Sequence, residues 1–271
     1  MSPSSSTDGF RVALTGDFYH DDGSPRYRDI GLSLLDEHAA IEYAVFDEHR
    51  PEIGPDQLKG ANGVIVLTPR VSAATLEGAS DLLAIARFGV GYDAVDVAAC
   101  TDAGVLLYIT AGAVDRPVAE ATIGWMLALT HQIRAKDRLV REGLWDDRSG
   151  YMGCELRDRT LGVIGLGGIG RALVGLLQGF GMHEPLAFDP FVNADRAKAL
   201  GVRLVDLKTL LKEADFVSIH CPLNDQTRGL IGPDEIALMK PNAYLLNTAR
   251  GGIVIEDALY EALQARTIAG A

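Results

Sequence analysis

Short apolar, β-branched runs recur along the chain from Arg11 onward, separated by longer stretches in which apolar residues return every third or fourth position. This alternation of strand-like and helix-like periods predicts parallel sheets covered by helices on both faces, an α/β fold. The runs fall into two series. Strands are expected at Val12 to Thr15, Glu42 to Phe46, Gly63 to Leu67, Leu83 to Ala86 and Val105 to Tyr108, then at Leu161 to Gly165, Leu186 to Asp189, Phe216 to Cys221 and Ala243 to Thr248. Between the series, Pro117 to Glu142 carries Ile123, Leu127 and Ile133 at helical spacing behind a proline whose missing N–H costs nothing at a helix start. It reads as one long linking helix. The glycine-dotted stretch Gly143 to Arg159 after it reads as loop.

At 271 residues the chain exceeds the roughly 150 residues of an average domain. The expected division is a first domain over 10–112 and a second over 113–271 that includes the linking helix. The Ser-rich opening Met1 to Gly9 has neither the basic start nor the apolar centre of a secretory signal and reads as a disordered tail. No stretch approaches the roughly 18 to 20 uncharged apolar residues of a membrane span.

The formal charge of −12 repels polyanions and argues against a nucleic-acid partner, although a few arginines in a cleft could still attract a small anion. Three cysteines without CxxC spacing, Cys100, Cys154 and Cys221, make neither a disulfide framework nor a metal site, and a cytoplasmic location fits them.

The strongest local pattern is Gly165-Leu166-Gly167-Gly168-Ile169-Gly170, placed between an expected strand and an apolar-periodic helix with Leu173, Leu176 and Leu177. Gly165 permits the tight turn, Gly167 lets backbone approach a pyrophosphate, and Gly170 lets helix and strand pack closely. The helix N-terminus then attracts phosphate. Asp189, at the end of the next strand, stands where a carboxylate accepts hydrogen bonds from the adenosine ribose, and its charge disfavours a 2′-phosphate, so NAD is expected rather than NADP. Capping the turn before Pro190 is the alternative role for Asp189.

Ligands of open parallel sheets bind beyond the carboxyl ends of the strands, so His220-Cys221-Pro222 and Asn247-Thr248-Ala249-Arg250-Gly251-Gly252 should line the same cleft. His220 reads as a structural strand-end residue before it reads as a catalyst. Cys221 reads as a small neighbour of the adenosine, since nothing nearby would lower its pKa. Arg250, between a buried strand and a glycine pair, calls for an anionic partner, either a ligand carboxylate or a salt bridge.

Together these runs resemble the D-isomer-specific 2-hydroxyacid dehydrogenases, the family of phosphoglycerate, glyoxylate and hydroxypyruvate reductases. Arg87-Phe88-Gly89-Val90-Gly91-Tyr92-Asp93, Val118-Ala119-Glu120, Gly143-Leu144-Trp145, Gly153-Cys154-Glu155-Leu156 and His220-Cys221-Pro222-Leu223 join the glycine loop and the Arg250 run in carrying the likeness over nearly the whole chain. The resemblance implies a flavodoxin-like substrate domain followed by a Rossmann-like cofactor domain, with a cleft between them. By it, Val90 and Gly91 hold the substrate carboxylate, Arg250 is the catalytic arginine, Gly168 and Ile169 contact the pyrophosphate, and Cys221, Pro222, Thr248 and Ala249 line the dinucleotide.

The implied activity is hydride transfer between NAD and a D-2-hydroxy or 2-keto acid, with a non-catalytic NAD-binding regulator or an inactive fragment as the alternatives. The family's proton-donating histidine and its glutamate partner match no residue here. None of the six histidines follows Arg250, and Ile268 to Ala271 reads as the first half of a further strand, so the second domain is expected to be incomplete. Arg70 is a candidate phosphate anchor, though a solvated loop arginine is an equal reading, and a phosphorylated and a small keto acid stay open. The family's dimers imply that Pro117 to Leu156 embraces a partner subunit with Trp145 as anchor, the other reading being that Trp145 packs in its own subunit.

Overall fold

A computed structural model describes residues 9–271, so all of the expected tail except Gly9 lies outside the described residues. The chain forms two compact units, residues 1–113 and 114–271.

In the amino-terminal unit, β1 (Phe10–Leu14), β2 (Ile41–Val45), β3 (Gly63–Val66), β4 (Ala84–Arg87) and β5 (Leu106–Ile109) form one parallel sheet in the order β2-β1-β3-β4-β5. Its centre is apolar: Leu14, Val64, Val66 and Ile85 are buried, whereas β2 at the edge is largely exposed. The helices on this sheet are short, and Asp96 starts one of them by accepting the Ala99 N–H at 2.9 Å.

The carboxyl-terminal unit holds β6 (Leu161–Ile164), β7 (Leu186–Phe188), β8 (Arg203–Leu204), β9 (Phe216–Ile219) and β10 (Tyr244–Asn247), also parallel, in the order β10-β9-β6-β7-β8. Every residue of β6 and β9 is buried. Leu161, Val163, Phe216 and Leu246 pack into one apolar layer, and Ile164, Val217, Ile219 and Leu245 into the other. A strand covered on both faces is near-continuously apolar, with Ser218 the one polar residue of β6 and β9, which is why these runs stand out in the sequence. The two-residue β8 carries no such run and was not expected. Beyond β10, the Leu245 N–H donates to the Gly270 carbonyl at 3.1 Å and the Ala269 N–H to the Ala243 carbonyl at 2.9 Å, so the segment near Gly270 does pair beside β10.

The single linking helix expected over Pro117 to Glu142 is corrected by the structure to two helices, Asp115–Thr130 and Ile133–Arg141. They are separated at Gln132, whose φ of 51° is left-handed. The residues after the second helix explain the break. The Cys154 N–H donates to the Thr130 carbonyl at 3.0 Å and the Gln132 side-chain amide to the Met152 carbonyl at 3.0 Å, so a returning segment takes over the Thr130 acceptor at the end of the first helix and holds Gln132 beside it. Ile133 is consequently exposed instead of continuing the buried stripe of Ala119 and Met126. The loop expected over Gly143 to Arg159 contains a 3-10 turn, Trp145–Tyr151.

Candidate functional site

The carboxyl ends of β6, β7, β9 and β10 gather the candidate cofactor residues of the second unit. Gly165 follows β6 with a φ of 93°, and a Cβ there would lie 2.7 Å from the Cys221 nitrogen and 2.9 Å from the His220 carbonyl carbon. Its N–H donates to the Phe188 carbonyl at 2.9 Å, and the His220 N–H donates to the Ile164 carbonyl at 2.8 Å. The turn is therefore wedged between the ends of β7 and β9.

The helix Gly168–Leu177 starts directly after Gly167, a cap residue with no side chain to satisfy the first N–H groups. Open space surrounds Gly167, whereas a Cβ on Gly170 would run into the Gly165 carbonyl oxygen. Ile169 lies in the first turn of this helix. Asp189, one residue past β7, accepts the Leu166 N–H at 2.8 Å through Oδ2 and the Phe191 N–H at 2.9 Å through Oδ1. One oxygen thus caps the following turn, the alternative role, and the other reaches back to the glycine loop.

At the ends of β9 and β10, His220 bridges two hydroxyls. Ser218 Oγ lies 2.8 Å from its Nε2 and Thr248 Oγ1 lies 3.1 Å from its Nδ1. Burial pushes the imidazole pKa down from 6.5 to about 4, so the ring is neutral, with one nitrogen donating and the other accepting. The loop after β10 is fastened by Asn247, whose side-chain amide donates to the Arg250 carbonyl at 2.7 Å while its oxygen accepts the Ala249 N–H at 3.1 Å. Arg250 Nη1 donates to the Ala249 carbonyl at 2.8 Å. Burial, with the charge of Asp189 adding to it, raises the Cys221 thiol above its ordinary pKa, which suits a lining residue and not a nucleophile. Pro222, next to it, accepts the Thr227 hydroxyl at 2.6 Å through its carbonyl.

In the amino-terminal unit, Val90 and Gly91 lie on the loop that leaves the carboxyl end of β4, just past Gly89, whose φ is 146°. The Thr110 N–H steadies this loop by donating to the Gly89 carbonyl at 3.1 Å. Arg70 follows β3, with its backbone N–H bonded to the Pro51 carbonyl at 2.8 Å and its side chain exposed.

Comparison with known proteins matches residues 123–271, more than half of the chain, to the D-isomer specific 2-hydroxyacid dehydrogenase, NAD binding domain. The chain belongs to this dehydrogenase family. It is 36% identical over 247 residues to the glyoxylate reductase of Korarchaeum cryptofilum, covering 89% of this chain and 74% of that protein. It is 41% identical over 242 residues to the D-3-phosphoglycerate dehydrogenase of Methanocaldococcus jannaschii, covering 89% of this chain but only 45% of that protein's length. Among solved structures, the D-lactate dehydrogenase of Aquifex aeolicus complexed with NAD and lactic acid superposes with a TM-score of 0.80 at 30% identity, covering 96% of this chain and 75% of that one.

As a member of this family, the chain carries NAD-binding architecture whose own geometry can be tested for fit. A turn that only glycine fills, open backbone at Gly167, a helix start without its own cap and a carboxylate at the end of β7 all suit a dinucleotide. A Cβ on Gly168 would fall on the carboxylate of Asp115, so the start of this helix passes close to the start of the helix Asp115–Thr130. Sequence reasoning missed this approach, Ser218 and the fastening role of Asn247. Ser218 reads as an ordinary strand residue until the fold sets His220 and Thr248 beside it.

The neutral His220 has a pH signature. Its folded pKa lies below its unfolded one, so at pH above 6.5 it costs nothing, and between pH 6.5 and 4 the unfolded chain takes up a proton that the folded chain refuses. Stability should fall through that window as pH drops, by at most about 1.4 kcal/mol per pH unit from this group. Urea unfolding of the wild type and His220→Asn from pH 7 to 4 measures it. An equal acid loss in both proteins would clear His220 of the effect.

Proposed function

We propose that this chain is the NAD-dependent part, or the whole, of an oxidoreductase that interconverts a D-2-hydroxy acid and the corresponding 2-keto acid. The observation that carries this reading is Asp189, a carboxylate hydrogen-bonded to the glycine turn at 2.8 Å and so held where an adenosine ribose would meet it. The similarity to a glyoxylate reductase and to a D-lactate dehydrogenase complexed with NAD supports it. When bound, NAD supplies the nicotinamide that gives or takes the hydride.

The proposed work of the protein is binding and polarisation. Gly165, Gly167, Gly168, Ile169 and Gly170 seat the pyrophosphate, Asp189 takes the ribose hydroxyls, and Cys221, Pro222, Thr248 and Ala249 line the dinucleotide. Arg250 grips the substrate carboxylate and draws electron density from the carbonyl oxygen. The backbone N–H groups of Val90 and Gly91 are the proposed carboxylate anchors of the amino-terminal unit. A homodimer through the Pro117 to Leu156 region fits the exposure of Trp145, which is 59% accessible with only Arg148 5.1 Å over its ring as a ring contact among the described residues. A monomer in sedimentation would remove the dimer from this reading.

Titration with NAD and assay of NADH oxidation with glyoxylate, hydroxypyruvate and phosphohydroxypyruvate test the function. Saturable NAD binding that weakens about 10- to 100-fold in Asp189→Ala is expected, with turnover of one of these acids once the family's histidine and glutamate are present. Binding without turnover in a protein that also carries the family's histidine and glutamate would move the reading to the class of NAD-responsive regulators, and absence of binding would sink both. Preference for the phosphorylated acid, lost in Arg70→Ala, would make Arg70 its anchor.

A further inference from the structure

Ser218 lies within β9 and His220 one residue past it, so the two side chains leave the same face of the strand. The register pairs Ile219 with Asn247, and the next position of each strand sets His220 beside Thr248. The imidazole therefore lies between two hydroxyls, with Ser218 Oγ 2.8 Å from Nε2 and Thr248 Oγ1 3.1 Å from Nδ1.

Burial decides the direction of these bonds. Ser218 is fully buried, and among the described residues its hydroxyl has the His220 ring as its hydrogen-bond partner. A buried O–H without an acceptor is costly, so that hydrogen goes to Nε2. A neutral ring that accepts at Nε2 carries its own hydrogen on Nδ1, and the Nδ1–H then donates to Thr248 Oγ1. Thr248 is half-buried one residue past β10, and once it accepts from the ring its own hydrogen is left for another partner. Each donor in such a chain polarises the next in the same sense.

We propose that His220 is a positioning residue, which through its bonds to Ser218 and Thr248 sets the Thr248 hydroxyl as a one-way donor to an acceptor oxygen of the bound dinucleotide. The inference rests on the NAD reading and deepens it. A carbonyl, phosphate or ribose oxygen satisfies this hydroxyl, and a group that can only donate does not.

The test is calorimetric titration with NAD of wild type, Thr248→Val, His220→Leu and the double variant, with Thr248→Ser and His220→Asn as conservative replacements. Loss of one oriented hydrogen bond in Thr248→Val is expected to weaken NAD about three- to tenfold. His220→Leu should weaken it by a similar factor. The double variant should bind within about twofold of Thr248→Val alone, because the two residues act as one. Thr248→Ser keeps the hydroxyl, and the amide of His220→Asn can still donate to it, so both should recover most of the affinity. In the wild type without ligand, nitrogen magnetic resonance of the imidazole should find the hydrogen on Nδ1.

Losses that multiply in the double variant would overturn the proposal, as would a hydrogen found on Nε2. Should His220→Leu not fold, the tautomer and the comparison of Thr248→Val with Thr248→Ser still decide, since equal NAD affinity of those two would also overturn it. A wild type that binds no NAD would overturn the NAD reading and this inference with it, and that outcome is distinct from the others.

Discussion

Alanine at position 165 is expected to cost about 2–4 kcal/mol of stability and to abolish dinucleotide binding at ordinary concentrations. Two penalties combine. The φ of 93° lies where a Cβ crowds its own backbone, and a Cβ at this site also meets the Cys221 nitrogen at 2.7 Å and the His220 carbonyl carbon at 2.9 Å. These neighbours are backbone atoms at the end of β9, so relief requires moving a buried strand or opening the bond from His220 N–H to the Ile164 carbonyl. Denaturant unfolding gives the stability change. As a control, alanine at Gly175 sits in a helix with open space around it, and it should be neutral or slightly stabilising. A Gly165→Ala protein as stable as wild type would mean that the turn relaxes freely and does not set the distance between β6 and β9.

The second large effect is expected at Arg250. If it polarises the substrate carbonyl, Arg250→Ala should lower kcat/KM about 10²- to 10³-fold, and Arg250→Lys should recover only part of this because an ammonium cannot form two parallel bonds to a carboxylate. NAD affinity should change far less than turnover. Asn247 fastens the loop through the Arg250 backbone, a bond the truncated variant keeps while it loses the one from Nη1 to the Ala249 carbonyl. Binding of oxamate in the presence of NADH supplies a readout that does not depend on turnover, and it should weaken in parallel with kcat/KM. Retention of oxamate binding by Arg250→Ala would assign the arginine a role other than gripping the acid.

What could be read from the sequence follows from where the physical constraint sits. The central strands are covered on both faces, so Leu161–Ile164 and Phe216–Ile219 are apolar at every position but Ser218 and announce themselves. Arg203–Leu204 pairs through two residues only, one of them exposed, and leaves no such trace. The glycine turn was legible because a backbone that must adopt a positive φ, or pass close to another strand, accepts one residue type. Asp189 was legible from its distance along the chain to that turn.

The break at Gln132 was not, because neither glycine nor proline marks it. Its cause is a segment some 20 residues later that bonds to Thr130 and Gln132. Likewise, His220 meets Thr248 across two strands, and Asp115 meets Gly168 across two helices. Pairings of that kind are made by the fold, and no local spacing encodes them.

The two backbone N–H groups that grip Asp189 have a consequence for ligand capture. An acid already fixed at both oxygens has surrendered its rotamer freedom during folding, so an arriving nucleotide orders nothing at this position. Each carboxylate oxygen retains a further lone pair, and under the proposed ribose role the penalty of immobilisation falls on the assembly of the polypeptide, once, instead of on every encounter with a coenzyme.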